Sequence, residues 1–447
     1  MHLRRIASAL LLLLLSVDSR DGRAESPCAG SGGGWCLARR VTGEADGGEL
    51  GFRFGEPLDV DGDQVADIAA GMRFTRFQGV AENGRAAVWS GRTGVKIRSW
   101  DGEHQDGLLG HWVLPVPDVS GDALADVVLS APNAKVGNVS TTGLVTARSP
   151  KTGKVLWSRP GDRHEQLGWD LCVAGDQNGD GTVDVFAGAP SASAGRAYLL
   201  SGKDGTVLQT YSPKKKTFSF GWSVARVDDL DRDGRSDLAV GAYREKGVSD
   251  AEIGGVHVLS AATGQPIFYW IGQSSRSGFG EVVAALGDIN GDGRGEIVVG
   301  APRSDDDDRV VPGEVFVHSG ADGAVLHRWK GKQPKELYGR MVVSAGEIDG
   351  DGVEDVAIGA PWHHHDFVAK VGRIELRSGR TGAVLHEMFG DVEEAWFGWH
   401  IRRAPDPDGM HRPALLISSV RHPIRGKAGV GVLDLYVLQK ASDRKNP

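Results

Sequence analysis

The chain has 447 residues, 65 glycines, 7% aromatics and a formal net charge of −8. Its length alone would allow two or three domains, but no long amphipathic helical pattern runs through it. The excess acid is concentrated in short loops that could gather cations, so the charge balance offers nothing to a nucleic-acid role.

Residues 1–24 read as a cleaved secretory signal: Arg4 and Arg5, the apolar run Ile6 to Val17, then small and polar residues up to Ala24. The run is too short to span a bilayer and no second one follows, which predicts no transmembrane segment. Residues 25–447 form the rest of the chain. Cys28 and Cys36 could bridge in an oxidising compartment. Cys172 stands four residues after Gly168, where Ala225 and Ala284 stand in later units, and reads as a small buried residue. Trp35 to Arg39 reads as an isolated strand.

From there one unit recurs. It opens on an apolar residue plus glycine: Leu50-Gly51, Leu109-Gly110, Leu167-Gly168, Phe220-Gly221, Phe279-Gly280, Tyr338-Gly339 and Phe397-Gly398. An acidic loop follows. Its side chains at positions 1, 3, 5 and 9 are Asp59, Asp61, Asp63 and Asp67 in the first unit, and Asp118, Ser120, Asp122 and Asp126 in the second. They are Asp176, Asn178, Asp180 and Asp184 in the third, and Asp229, Asp231, Asp233 and Asp237 in the fourth. The fifth has Asp288, Asn290, Asp292 and Glu296, and the sixth Glu347, Asp349, Asp351 and Asp355. First positions at 59, 118, 176, 229, 288 and 347 give steps of 59, 58, 53, 59 and 59. One more step of 59 lands on Asp406, in a seventh copy where Met410 and Ala414 replace ligands five and nine. A fixed period of this length means an array of supersecondary units.

Calcium is a hard cation that takes six to eight oxygens, and four side chains in a tight loop with one carbonyl can wrap it. About six calcium sites are expected. An EF-hand would need a bidentate Glu at position 12 and flanking helices. Position 12 here is Ala70, Leu129, Ala187, Val240, Val299 or Ile358, and the residues after position 9 are short β-rich runs. A bare Asp-Gly turn would need one or two of these acids, not four.

After the loop comes Gly-Ala-Pro or a relative, as at Gly188–Pro190, Gly300–Pro302 and Gly359–Pro361. A third strand, a Ser-x-x-x-Gly turn such as Ser90–Gly94 or Ser378–Gly382, and a fourth strand complete the unit. Four short strands per unit suit a propeller blade. The last unit stops after its third strand, 431–437, and residues 35–39 supply the match for its fourth. The predicted fold is all-β, a seven-bladed β-propeller of four-stranded blades closed by an N-terminal strand, which removes exposed edges.

In order and in register, these landmarks resemble the FG-GAP repeats of the β-propeller at the head of integrin α subunits and of many bacterial exported proteins. The resemblance covers roughly residues 35 to 438. It implies calcium in the loop joining the first two strands of a blade, on the 24 residues named above, weakened at Ser120 and Glu347 and absent from the seventh unit. It also implies a secreted binding scaffold, adhesion-like and not an enzyme, located outside the cell, in the periplasm or at the cell surface. Its partner would be an extracellular or envelope protein or a glycan.

The alternatives are a structural envelope component and a quinone-dependent dehydrogenase-like propeller, which Thr152 to Trp157 resembles but which lacks a calcium loop in every blade. No nucleophile elbow, phosphate loop, zinc-protease motif or nucleotide-binding glycine fingerprint occurs. Asn138-Val-Ser140 matches a glycosylation sequon. Strand alternation puts the longer loops 73–83, 243–254, 303–312, 362–371 and 421–428 on the face opposite the acid loops, where recognition would sit. There, Asp305–Asp308 and His363–Asp366 could form one acidic, metal-capable surface.

Overall fold

The runs after each acid loop are Val, Ile, Leu, Ala and Gly, short and without polar alternation, which suits strands buried on both faces. In the computed structural model Asp184–Ala189, Asp237–Ala242, Glu296–Ala301 and Asp355–Ala360 are buried at every position. The structure describes residues 34–439 apart from 77–79, 81, 138, 140, 193, 214–218, 248–250 and 307–308. The expected signal segment 1–24, Cys28, and Asn138 and Ser140 of the sequon therefore lie outside the described residues. Among the described residues every regular element is a strand, and no helix is long and apolar enough to cross a membrane.

Seven antiparallel sheets form the blades of a seven-bladed propeller. Within a blade the strands run outward in chain order, as in Val282–Leu286, Glu296–Ala301, Glu314–His318 and Val325–Lys330 of the fifth. Six blades carry four laddered strands; the first has three. Its innermost segment is held to the blade by one bridge, Leu58 to Asp67. Pro57 has no N–H to give a ladder, and Gly55 N donates instead to Val113 O of the second blade. Loop 303–312 contains a small ribbon, Ser304–Asp306 paired with Arg309–Val311.

Seven apolar clusters fill the wedges between adjoining blades, one per wedge. The two glycine landmarks make the blades meet closely. A Cβ on Gly300 of the fifth blade would lie 2.2 Å from the carbonyl oxygen of Gly339, which opens the sixth. Gly339 itself holds φ at 84°, a conformation that costs any other residue dearly. Inside the ring Asp170 joins four blades: it accepts from Arg53 Nη1 at 2.6 Å, Trp112 Nε1 at 2.6 Å and Val224 N at 2.8 Å.

The ring closes as the sequence predicts. Gly34–Thr42 pairs antiparallel with Val432–Gln439 as the outermost strand of the seventh blade, with a bulge between Leu37 and Arg39. Arg40 adds a two-pronged ion pair to Asp434, at 2.6 and 2.7 Å. On the inner side His400 of the seventh blade donates from Nε2 to Phe54 O of the first at 3.0 Å and packs edge-on to Phe54.

Two outcomes follow from this closure. A chain beginning at residue 46 leaves the outer edge of the seventh blade unpaired, so it should aggregate or lose yield. Size-exclusion chromatography showing a monomer as stable as the parent would refute closure by this strand. The second concerns pH. Burial, reinforced by Arg402, holds the His400 imidazole well below its usual pKa. The unfolded chain takes up a proton near pH 6.5 and the folded one does not, so this contribution is lost as pH falls below 6.5, by up to about 1.4 kcal/mol per pH unit. Melting should decline more steeply between pH 7 and 5 for the parent than for His400→Asn. Parallel curves would mean that the folded imidazole takes the proton as readily as the unfolded one.

Candidate metal centres

Each acid loop is a tight turn between the first and second strands of its blade, shaped by its own backbone. Positions 4 and 6 adopt positive φ, as at Gly291 and Gly293 (both 83°), which turns their N–H groups inward. In the fifth loop these groups donate to Asp288, from Gly291 at 2.6 Å and from Gly293 at 2.8 Å. The same pair of bonds holds Asp59, Asp118 and Asp176. Gly234 N holds Asp229 at 2.9 Å, and Gly350 N holds Glu347. The side chain at position 1 is therefore fixed by the loop, independently of any ion.

Position 9 is buried in all six loops: Asp67, Asp126, Asp184, Asp237, Glu296 and Asp355. One oxygen accepts from the backbone N–H of position 2, at 2.7–2.9 Å in every loop. In four loops the other oxygen accepts from the hairpin between the third and fourth strands, at Gly91, Gly202, Ala261 and Gly379. This acid thus ties the loop to its blade as well as facing the site. Glu296 Oε1 is buried and has no hydrogen-bond partner. Burial pushes Asp67, Asp237 and Asp355 up to about 6 and Glu296 to about 7, and the neighbouring loop carboxylates push the same way. A bound cation would reverse that repulsion.

Four loops bring three carboxylates within 4.8 Å of one another: Asp59, Asp61 and Asp67; Asp229, Asp231 and Asp237; Asp288, Asp292 and Glu296; Glu347, Asp349 and Asp351. The second and third loops keep the backbone scaffold and, like the fifth, have three acids, with Ser120 and Asn178 at position 3, but they are not among these close clusters. Asp63, Asp233 and Asp355 stand outside these triads. Asp63 and Asp351 face arginines of the outer hairpin, Arg92 at 2.8 Å and Arg380 at 3.0 Å. Asn290 donates to Asp292 at 2.7 Å.

The seventh loop contains a cation already. Arg412 Nε and Nη2 reach Asp406 at 2.7 and 2.9 Å, and Nη2 reaches Asp408 at 2.6 Å. The guanidinium neutralises the two acids that survive there.

The three-histidine loop departs from expectation. His363 is buried, with Nδ1 at 2.5 Å from Glu336 Oε2, inside a network with Arg373. His365 stacks on Phe389 with centroids 3.8 Å apart. The loop thus engages two of its three imidazoles, His363 in a buried hydrogen bond and His365 in a ring stack; Asp307 and Asp308 of the acidic run expected beside it lie outside the described residues. Cys172, expected to be buried, is only half-buried and lines the central channel, yet desolvation still pushes its thiol up to about 12.

One set of residues was overlooked in the sequence although its signal was plain. The residue after each landmark glycine is Phe52, His111, Trp169, Trp222, Glu281, Arg340 or Trp399. All seven line one cavity at the mouth of the central channel, on the face opposite the acid loops. The five rings form a continuous series, Trp399–Phe52–His111–Trp169–Trp222, with centroids 4.6–5.4 Å apart.

Comparison with known proteins agrees with this construction. The FG-GAP repeat family matches residues 220–259 and 279–325. Integrin alpha-5 of Xenopus laevis is 29% identical over 245 residues, 51% of this chain and 23% of that protein. Integrin alpha-V of Gallus gallus is 31% identical over 211 residues, 43% and 20% respectively. Integrin alpha-4 of Xenopus laevis is 33% identical over 192 residues, 40% and 18%. The matched region thus spans about a fifth of the length of these relatives. A solved structure described as "Crystal structure of BBS1N in complex with ARL6DN, soaked with lead" superposes with a TM-score of 0.53 over 91% of this chain and 97% of that one. At 8% identity it speaks for the fold alone. Repeat pattern, seven-bladed ring and relatives agree: the chain carries FG-GAP repeats and is similar to integrin α subunits over about half of its length.

Proposed function

We propose that this protein is a secreted, calcium-binding propeller that acts as a protein- or glycan-binding scaffold of the adhesion type. The observation that carries the calcium reading is the recurrence of one preformed loop, with position 1 pinned by its own N–H groups and position 9 buried beside it. Oxygen-only donors suit calcium better than zinc or copper, which favour nitrogen and sulfur. About six sites are expected, on the 24 residues read from the sequence, weakened at Ser120 and Glu347. The scaffold reading draws on the likeness to integrin α subunits, and the positively charged apolar start of the chain supports export. The relatives' names point to receptors rather than enzymes, which favours this reading over a quinone-dependent propeller. The binding face is the one opposite the acid loops, where the long loops and the ringed cavity lie.

Calcium should stabilise the ring through several sites at once. Titrating it into chelated protein should raise the melting temperature by roughly 10 °C or more. Asp292→Ala should lower the bound-calcium count by about one, and Asp408→Ala should leave it unchanged. A melting curve indifferent to calcium would sink the reading. Separately, Arg412→Ala leaves Asp406 and Asp408 without a cation and should cost about 2–3 kcal/mol. Denaturant unfolding with and without calcium should give the same loss. If saturating calcium restored stability, the seventh loop would be a metal site after all.

A further inference from the structure

The cavity at the channel mouth encloses about 530 Å³. Its aromatic wall is interrupted by charge. Arg53, Arg73, Arg303 and Arg340 line it, with Lys335 at its rim. Their nearest carboxylates are three. Asp170 takes Arg53 at 2.6 Å, Glu49 stands 3.7 Å from Arg73, and Glu281 is shared between Arg303 at 3.0 Å and Arg340 at 3.8 Å. The guanidiniums alone outnumber the acids.

Hydrogen bonding is deficient mostly on the donor side, although Glu281 Oε2 is also buried without a hydrogen-bond partner. Among the described residues no hydrogen bond reaches the Arg340 guanidinium, although its side chain is only 12% exposed; it lies 4.3 Å over Trp399. Arg73 lies 3.1 Å over Phe52. The Nε donors of Arg53 and Arg73 and the indole N–H groups of Trp169 and Trp222 are buried without a partner. Arg53 as a whole is 7% exposed. His111 offers no counter-charge. Its Nε2–H donates to Trp169 O at 3.1 Å, which leaves Nδ1 to accept from Arg73, and burial keeps the ring neutral. Burial, and then repulsion from their fellow arginines, pulls Arg73 down to about 9 and Arg340 to about 10. Groups so arranged hold unspent donors and positive charge in a low-dielectric setting, where an unpaired ion is costly.

We propose that the mouth of the central channel is a binding site for a carboxylate, held by the Arg340 and Arg73 guanidiniums between the Phe52 and Trp399 rings. A planar carboxylate matches the two-pronged geometry of a guanidinium, and the aromatic walls would cover the carbon that bears it. The carboxylate can belong to a free small acid or to an aspartate or glutamate of a partner protein. This names the ligand chemistry of the face described above and rests on the scaffold reading only in taking that face as the binding one.

The test uses the full, calcium-loaded chain. Succinate, inorganic phosphate and a short peptide with one central glutamate are titrated separately, followed by tryptophan fluorescence, since Trp169, Trp222, Trp362 and Trp399 line the cavity. A saturable change with succinate or the peptide is expected, and Arg340→Gln should weaken it at least tenfold. That variant should melt no lower than the parent in the absence of acid, because removing it relieves repulsion; a merely structural arginine would be missed. Should Arg340→Gln fail to fold, Arg73→Gln carries the same expectation. Succinate binding as tightly as the peptide assigns a free acid, and peptide binding alone assigns a partner's side chain. The inference is overturned by a flat titration with both carboxylates up to about 10 mM, by undiminished binding in the variants, or by phosphate matching them, which would mark an adventitious ion only. Calcium-dependent melting is measured on the same samples, so loss of carboxylate binding with that response intact counts against this inference alone.

Discussion

The architecture depends on how closely neighbouring blades can approach at their inner ends. The glycine that closes the second strand of one blade faces the carbonyl of the glycine that opens the next: Gly71 on Gly110, Gly188 on Gly221, Gly241 on Gly280, Gly300 on Gly339 and Gly359 on Gly398, with 1.8–2.3 Å from an added Cβ to that oxygen. No side chain fits there. The opening glycine, at positive φ, also donates back to the second strand of its own blade, as Gly339 N does to Gly359 O. One contact therefore fixes the turn into a blade and the spacing to its neighbour. Seven repetitions bring the inner strands around a narrow channel and leave wedges that widen outward, which the seven apolar clusters fill. Where Ser130 and Ser418 take the place of glycine, a Cβ added to the opening glycines Gly168 and Gly51 would lie 2.8 and 2.9 Å from the serine Cβ.

The acid loops answer a second constraint. Each gathers like charges at the far end of the inner strands, where they repel, and in four of them position 9 also stitches the loop to the outer hairpin. A cation among them would relieve that repulsion. The seventh loop shows the chain's own answer in Arg412, whose guanidinium spans both surviving acids. Arg92 and Arg380 do part of the same work at position 5 of the first and sixth loops. A mobile divalent ion and a tethered guanidinium solve one electrostatic problem in different ways. Only the first lets solution conditions govern the rigidity of the ring.

Much of this could be read before any coordinates. Near-equal spacing set the number of blades, the unmatched strand at Trp35 set the closure, and positions 1 to 9 pointed to the loops, four of which gather three carboxylates. What stayed hidden was of two kinds. Asp170 belongs to no motif, and its partners Arg53, Trp112 and Val224 lie 117, 58 and 54 residues away. Only ring closure brings them together. His363 looked like a ligand because histidines were clustered, but one chain direction cannot reveal that Glu336, in the preceding link, would take its ring nitrogen. The cavity residues were hidden differently. They follow the landmark glycine by one position, and their variety hid them, since a search for repetition passes over what does not repeat.

That variety is itself informative. The two ends of a propeller are built by alternate turns of the same strands, so one face can be held constant while the other changes. Here the acid loops are nearly interchangeable from blade to blade, as expected of parts that stabilise the ring. At the opposite end the equivalent positions hold a phenylalanine, a histidine, three tryptophans, a glutamate and an arginine. The two charged members, Glu281 and Arg340, sit in adjacent blades, and their paired charges fall short of contact at 3.8 Å. A ring that needed only to be filled would take aromatics throughout. The exceptions make the mouth of the channel asymmetric, with guanidiniums laid over the Phe52 and Trp399 rings and none over Trp169 or Trp222 among the described contacts. An asymmetric cup at the axis of a symmetric ring would favour one orientation of anything it held. The repeats thus supply the frame, and the positions where they differ supply what the frame can recognise.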